Sequence, residues 1–477
     1  MKIKWLAHIK IIIILIFILT IILIIYSFLY YRLNKSDEFS YKDYNVIFVS
    51  FDALQANHVH NLGYYRNITP TIDKMASKGF NFKQAISVSS WTVPSSMSWF
   101  TGVYPSQHKV VNKFSKYTEE EKVISNLKKL SPDIITLAEI LKQNGYSTAG
   151  FTGDAGVNGV FGYNQGFDVY FDNTTQFSGM EVSSPKAIEW IKNNKDKKIF
   201  LFLHGYDSHG QYEPEDGFDY KFVDADYDGI YNGSRQQQAK LREEGLEKGY
   251  LNLTEDDVKF WRAIYDEKIN RADEKFAKFL EEYEKFGLMD RTIFILTSDH
   301  GTEVYEHNRI DHGFSLYDEL IHIPLIIILP ETKGRKIDTQ VSSIDIMPTI
   351  LELLDMSPDQ KVKNQMKGIS LIPLFKGKDM KIDAYSETDY RLYTHKKSIR
   401  TSDGWKFIYT FAEYQNKNDK KELYNLKEDP YERINLIEKE PKIAYELEQK
   451  LFAWIKDQNI SYSSQLGCSP VYMTQCQ

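Results

Sequence analysis

Short apolar runs alternate with longer stretches of helical periodicity along most of this chain. The runs NVIFVSF (45–51), KIFLFLH (198–204) and TIFILTS (292–298) have the length and the β-branched and aromatic content of buried strands. Segment 256–287 carries apolar residues at the spacing of a long amphipathic helix. Because parallel strands are joined by helical crossovers, this alternation predicts a largely parallel α/β sheet flanked by helices.

The pattern changes after residue 380. Residues 397–411 and 422–436 read as antiparallel strands and turns, and a terminal helix follows them. We therefore expect a catalytic domain over 45–380 and a smaller α+β subdomain over 381–458.

The remaining 19 positions, 459–477, form a predicted tail that holds both cysteines, Cys468 and Cys476. Outside the cytoplasm these two thiols could form a small disulfide, and two free thiols are the alternative.

The N-terminus is far more apolar than the rest of the chain. Residues 11–31 carry no charge, and three lysines precede them. A run of about 20 apolar residues suffices to span a bilayer, and the lysines favour a cytoplasmic N-terminus. We expect residues 1–33 to form a cytoplasmic N-terminus and transmembrane anchor at the cell membrane. Residues 34–44 are then a tether, and the catalytic domain lies outside the cytoplasm.

The charge distribution argues against a nucleic-acid partner. The formal net charge is −7, and lysine and arginine nowhere form a long basic block.

Polar side chains directly follow two of the predicted strands. Asp52 follows the first run, and Asp299 and His300 follow the third. In open α/β sheets, sites form beyond the carboxyl ends of the strands. Two carboxylates, an imidazole and the hydroxyl of Thr92 are a mixed oxygen and nitrogen donor set, which suits zinc or manganese better than calcium. We predict one divalent ion here, with calcium as the alternative. Taken singly, an aspartate after a strand is more often a helix cap.

Eight longer sequence motifs follow one another along the chain. They are VIFVSFDAL, TPTIDKMASKGFNF, WTVPSSMSWFTGVYPSQH, TIFILTSDHG, DHGFSLYDELIHIPLII, SSIDIMPTILELL, GISLIPL and ELYNLKEDPYERINL. Together they resemble the sulfatase family of the alkaline-phosphatase-like superfamily, from about Asn45 to about Gln458. The resemblance implies that Asp52, Asp299 and His300 hold the metal and that position 92 is the nucleophile.

The chain departs from the sulfatase signature at two positions. The signature residues that it keeps are Pro94, Ser95, Thr101 and Gly102. Thr92 stands where sulfatases have a cysteine or serine, and Ser96 stands at the arginine position. Sulfatases oxidise their cysteine or serine to formylglycine, and threonine cannot give that aldehyde because its β-carbon carries a methyl group.

Threonine at the nucleophile position resembles the phosphoryl-transfer members of the superfamily, such as lipoteichoic acid synthases. The resemblance therefore implies an enzyme that hydrolyses or transfers a phosphate-type ester through Thr92. A sulfuric ester hydrolase is the alternative, and a catalytically inactive binding protein on the same fold is a third hypothesis.

Accessory residues lie in two further stretches of the resemblance. Asp207 and His209, in HGYDSHGQYEP, and His312, in DHGFSLYDE, correspond to positions near the reacting group. We expect His209 and His312 to be catalytic with Thr92. Two alternatives stay open: Asp207, His209 and His312 hold a second metal ion, or the histidines only hydrogen-bond to substrate or aspartate oxygens. The expected substrate is an anionic ester on a cell-envelope glycan or lipid.

Overall fold

The computed structural model describes residues 15–27, 39–111, 129–153, 156–172, 177–210, 218–390, 394–413 and 419–458. The strands within these ranges are β1 (Asn45–Phe51), β2 (Phe80–Ile86), β3 (Ser147–Phe151), β4 (Val169–Phe171), β5 (Ile199–Gly205), β6 (Thr292–Ser298), β7 (Glu303–Val304), β8 (Ile310–Asp311), β9 (His322–Ile328), β10 (Arg335–Ile337), β11 (Val341–Ser342), β12 (Ala384–Tyr390), β13 (Thr394–Arg400), β14 (Trp405–Glu413) and β15 (Lys420–Asn425).

The α-helices are α1 (15–27), α2 (Pro70–Ala76), α3 (Thr92–Thr101), α4 (Pro105–His108), α5 (Leu137–Gln143), α6 (Met180–Asn194), α7 (Arg235–Lys248), α8 (Glu255–Glu284), α9 (Asp318–Ile321), α10 (Ile346–Leu353), α11 (Gln360–Gln365), α12 (Ile372–Phe375) and α13 (Pro441–Asp457). Short 3₁₀ turns cover Ala56–His58, His60–Leu62, Gly159–Phe161, Met289–Arg291 and Ser343–Asp345.

The large sheet is mixed, with a parallel centre. Its strands run in the order β10-β2-β9-β6-β1-β5-β3-β4, with β11 also paired to β2. Strand β1 lies between β5 and β6 and is parallel to both. The departure from the expected parallel arrangement is β9, which is antiparallel to β6 and to β2. Antiparallel neighbours need no helical crossover, and the segment between β6 and β9 contains only the β7–β8 hairpin and α9.

Helices cover both faces of the central strands. Every residue of β1 is buried, as expected of a parallel strand covered on both sides. The ring of Phe48 lies 5.2 Å from that of Trp99 in α3, and the ring of Phe51 lies 5.6 Å from that of Phe276 in α8. Because side chains an odd number of residues apart in a strand point to opposite faces, α3 and α8 pack on opposite sides of the sheet.

A second sheet forms the C-terminal part of the described chain. Strands β12, β13, β14 and β15 pair in sequence order, all antiparallel. Leu447 and Leu451 of α13 pack with Ile399 and Phe407 of this sheet. The expected C-terminal subdomain is present, and its boundary at residue 380 stays a prediction.

The side chains of the N-terminal helix α1 are exposed. None of the helices among the described residues combines the length and the apolar character that a membrane crossing needs. Residues 11–14 and 28–31 of the predicted anchor lie outside the described residues, as do both cysteines of the predicted tail.

Candidate functional site

The ends of two adjacent parallel strands bring the predicted metal ligands together. Asp52 follows β1, and Asp299 and His300 follow β6, its hydrogen-bonded neighbour. All three residues are fully buried. One ligand atom from each lies within 4.8 Å of the others. The grouping expected from the strand ends is therefore what the fold produces.

Several carboxylate oxygens in this cluster have no partner. Both oxygens of Asp52 and Oδ2 of Asp299 are buried with no hydrogen-bond donor among the described residues. By contrast, Asp299 Oδ1 accepts from the backbone N–H of Ala53 at 3.0 Å and of His300 at 2.9 Å. Burial, and then the negative charge of Asp299, raises the pKa of Asp52. Buried carboxylates are normally paired or coordinated to metal, so this donor set fits a divalent cation.

The neighbours of His300 fix which ring nitrogen faces the cluster. Its Nδ1 lies 2.6 Å from the carbonyl oxygen of Gly301, which can only accept, so Nδ1 carries the proton. Nε2 therefore presents its lone pair towards Asp299 Oδ2, at 3.4 Å. Burial lowers the pKa of His300 although Asp299 opposes the shift, which keeps the ring neutral. A neutral imidazole oriented in this way is the form that binds metal ions.

Thr92 is the first residue of α3 and reaches the same cluster. Its side chain is almost fully buried, and Oγ1 lies 3.2 Å from His300 Nε2. Ser95, one turn further along α3, donates its hydroxyl to the backbone oxygen of Asp299 at 2.6 Å. The serine of the signature thus ties the start of α3 to the end of β6, and this places the Thr92 hydroxyl beside the candidate ligands.

A glycine fixes the other side of Thr92. A β-carbon at Gly156 would lie 2.8 Å from both Cβ and Cγ2 of Thr92, closer than real carbon contacts allow. Only a residue without a side chain fits against the threonine methyl group. We did not single out Gly156 from the sequence, since nothing local distinguishes it from the other glycines.

Sequence reasoning also missed His204, which ends the apolar run of β5. The residue is fully buried, and its Nε2 lies 3.4 Å from Asp52 Oδ2. Its Nδ1 lies 2.7 Å from the hydroxyl of Ser50 in the adjacent strand. His204 Nε2 therefore lies beside Asp52 Oδ2, although the contact lacks the geometry of a hydrogen bond. The sequence feature that could have indicated His204 is its position as the first polar residue after the apolar run KIFLFL.

Two predicted accessory histidines lie next to the cluster. The ring of His312 lies 4.3 Å from that of His300, and the ring of His209 lies 4.8 Å from that of His312. His312 Nδ1 is 2.5 Å from Asp311 Oδ1. Burial, and then the neighbouring His312, lowers the pKa of His209, so its ring is neutral. The neutral ring of His209 can therefore offer an N–H group to an anionic substrate without adding a fixed charge.

Asp207 makes contacts other than those expected of a ligand to a second metal ion. Its Oδ1 pairs with Lys275 Nζ of α8 at 2.7 Å, and its Oδ2 accepts from Met180 N at 2.9 Å. Asp207, His209 and His312 are not among the clusters of the described residues whose ligand atoms lie within 4.8 Å of one another. Lys275, which pairs with Asp207, is far from it in the sequence.

Two family models match the chain. The sulfatase family model matches residues 44–356. A model described as N-sulphoglucosamine sulphohydrolase, C-terminal, matches residues 305–457. Their combined span covers both sheets.

Several known proteins are similar to the chain over most of its length. Arylsulfatase K of Mus musculus is 23% identical over 467 residues, which cover 88% of this chain and 80% of that protein. A structure solved in complex with its substrate D-glucosamine-2-N,6-O-disulfate has a TM-score of 0.67 at 20% identity and covers 89% of this chain and 99% of that one. The phosphonate monoester hydrolase of Agrobacterium radiobacter has a TM-score of 0.69 at 18% identity, over 87% and 96% of the two chains.

Proposed function

This chain belongs to the sulfatase family, and from that premise we propose that it is a metal-dependent hydrolase of sulfuric esters on an anionic glycan. The observation that carries the proposal is the Thr92 hydroxyl beside Asp52, Asp299 and His300, in a cluster where three buried carboxylate oxygens lack hydrogen-bond partners. The substrate class is supported by the neighbour solved with a glucosamine disulfate.

Each residue of the site has a separate role in the proposed ester cleavage. A divalent ion held by Asp52, Asp299 and His300 would supply positive charge beside the ester oxygens and the Thr92 hydroxyl. Thr92 Oγ1 would bond to sulfur while the bond to the leaving alcohol oxygen breaks, and the alcohol would leave with the proton of the Thr92 hydroxyl. Water then cleaves the resulting ester of Thr92 and restores its hydroxyl. His209 and His312 donate hydrogen bonds to the anionic group.

A specific observation favours a second candidate, the hydrolysis or transfer of phosphate-type esters. A sulfated threonine is an ordinary alkyl sulfate, because it lacks the second hydroxyl with which a formylglycine hydrate expels sulfate. A phosphorylated threonine is released by in-line attack of water or of an acceptor alcohol on phosphorus. The fold neighbour that hydrolyses phosphonate monoesters is in keeping with this chemistry.

A panel of aryl esters separates the two candidates. The purified enzyme, loaded with zinc or manganese, is assayed on 4-nitrophenyl sulfate, 4-nitrophenyl phosphate and bis(4-nitrophenyl) phosphate. Our proposal expects the highest kcat/KM on the sulfate, and a preference for either phosphate ester would replace it with the second candidate. Metal binding without turnover of any ester would support a binding protein instead.

Two variants test the role of Thr92. Thr92→Ala should abolish turnover, since loss of an essential nucleophile lowers kcat by up to about 10⁶-fold. Thr92→Ser keeps the hydroxyl and should keep part of the activity. Rapid quenching and peptide mass analysis would find the sulfated or phosphorylated residue. Near-normal turnover by Thr92→Ala would rule out the nucleophile.

We also propose that residues 11–31 anchor the enzyme in the cell membrane with the catalytic domain outside the cytoplasm. The uncharged apolar run and the lysines before it support this placement.

A further inference from the structure

A second cluster of metal-ligating side chains lies on the chain between His300 and β9. Its members are Glu303, His307 and Glu319, and one ligand atom from each lies within 4.8 Å of the others. Glu303 begins β7, and Glu319 is in α9. The cluster shares no residue with the candidate active site.

The surroundings of His307 fix its orientation. Its Nε2 lies 3.2 Å from the backbone oxygen of Glu432, which can only accept, so Nε2 carries a proton. The ring stacks on Tyr317 with the centroids 3.7 Å apart. Its Nδ1 faces Glu319 Oε1, which lies within hydrogen-bonding distance. Either a proton or a metal ion must therefore lie between these two atoms.

Glu303 brings a second carboxyl group without a partner. Its side chain is 1% exposed. Neither of its oxygens has a hydrogen-bond partner within the described part of the chain. Buried carboxylates are normally paired or coordinated to a metal ion. A divalent ion would satisfy Glu303 and Glu319 together.

We propose that Glu303, His307 and Glu319 form a second divalent-cation site, suited to zinc or manganese. Two carboxylates and an imidazole are a donor set that these ions accept and that calcium, which prefers oxygen alone, disfavours. The hydrogen bond from His307 Nε2 to the Glu432 carbonyl is the outer contact that metal-binding histidines normally make. The ion ties the β7–β8 hairpin to α9, and so braces the segment that leads from His300 to His312.

Metal stoichiometry tests the site independently of activity. The full-length protein is loaded with zinc alone, desalted and analysed by elemental mass spectrometry. The wild type should retain about two ions per chain, and Asp299→Asn and Glu303→Gln about one each. The matched control is Glu306→Gln on the same hairpin, whose carboxylate already accepts from Val304 N at 2.5 Å. It should retain the wild-type stoichiometry.

Two outcomes of this experiment would refute the second cation site. Wild-type protein with one ion, lost in Asp299→Asn, would leave the active-site metal in place and refute the second site. Equal zinc content in Glu303→Gln and Glu306→Gln would refute it as well. Anomalous scattering at the zinc edge from wild-type crystals gives the same answer without any variant, since a peak is expected between His307 Nδ1 and Glu303.

Discussion

Replacing Gly156 by alanine should displace the hydroxyl of Thr92, the proposed nucleophile, while leaving the fold intact. The added β-carbon would lie 2.8 Å from Cβ and Cγ2 of Thr92 and 3.1 Å from Cγ2 of Val93. Non-bonded carbon atoms rest about 3.5–4.0 Å apart. Thr92 must therefore withdraw by about 1 Å, or the loop that carries residue 156 must move by a similar distance.

The size of the effect follows from that displacement. A shift of about 1 Å in a reacting group costs about 10²-fold in rate, whereas overpacking of this kind destabilises a protein by about 1–3 kcal/mol. We expect kcat/KM on the preferred ester to fall by about 10²-fold, with cooperative thermal unfolding and metal content retained. Steady-state kinetics, calorimetry and elemental analysis of one preparation give all three quantities.

Two controls separate misplacement from general damage. Gly159→Ala, three residues further on, brings a β-carbon no closer than 3.3 Å to a side-chain oxygen, and should leave kcat/KM nearly unchanged. Thr92→Ser removes Cγ2, so the Gly156→Ala substitution should cost less activity in a Thr92→Ser background than in the wild type. If Gly156→Ala keeps kcat/KM within about threefold of the wild type, the close packing does not position Thr92.

Four further outcomes are expected. Asp299→Asn should weaken binding of zinc or manganese by at least about tenfold in calorimetric titration, and an unchanged affinity would contradict the site. Asp318→Asn should lower the free energy of unfolding by about 3–5 kcal/mol in urea titration, because buried Lys406 and Arg400 both pair with Asp318. A loss below about 1 kcal/mol would mean that this ion-pair network contributes little to stability. Burial alone would raise the pKa of Asp318, but Arg400 and Lys406 hold that pKa well below its usual range. The ionised Asp318 therefore stabilises the fold above about pH 4, and this contribution is lost as the pH falls. Asp318→Asn should consequently lose less stability in acid than the wild type does. Protease added to intact cells should digest the catalytic domain if residues 11–31 anchor it facing outward, and protection until lysis would exclude that topology.

The amino-acid sequence was sufficient to predict the parts of the site that depend on local order along the chain. An apolar run long enough for one strand ends at a polar residue, and parallel strands bring such ends to one edge of the sheet. For that reason the sequence alone predicts that Asp52, Asp299 and His300 lie close together. Thr92 joined them through its place in the signature, and the large sheet with its flanking helices followed from the alternating periodicities.

The tertiary structure alone decided which distant groups compete for each side chain. Asp207 is paired with Lys275 of α8, so it does not join His209 and His312. The reversed direction of β9 brings Glu319 to the β7–β8 hairpin, where Glu303 and His307 form a cluster that the sequence pattern does not reveal. Local periodicity specifies which face of a strand or helix is buried. It does not specify which charged group, tens of residues away, will satisfy a buried carboxylate, because that depends on how the packed elements meet in space.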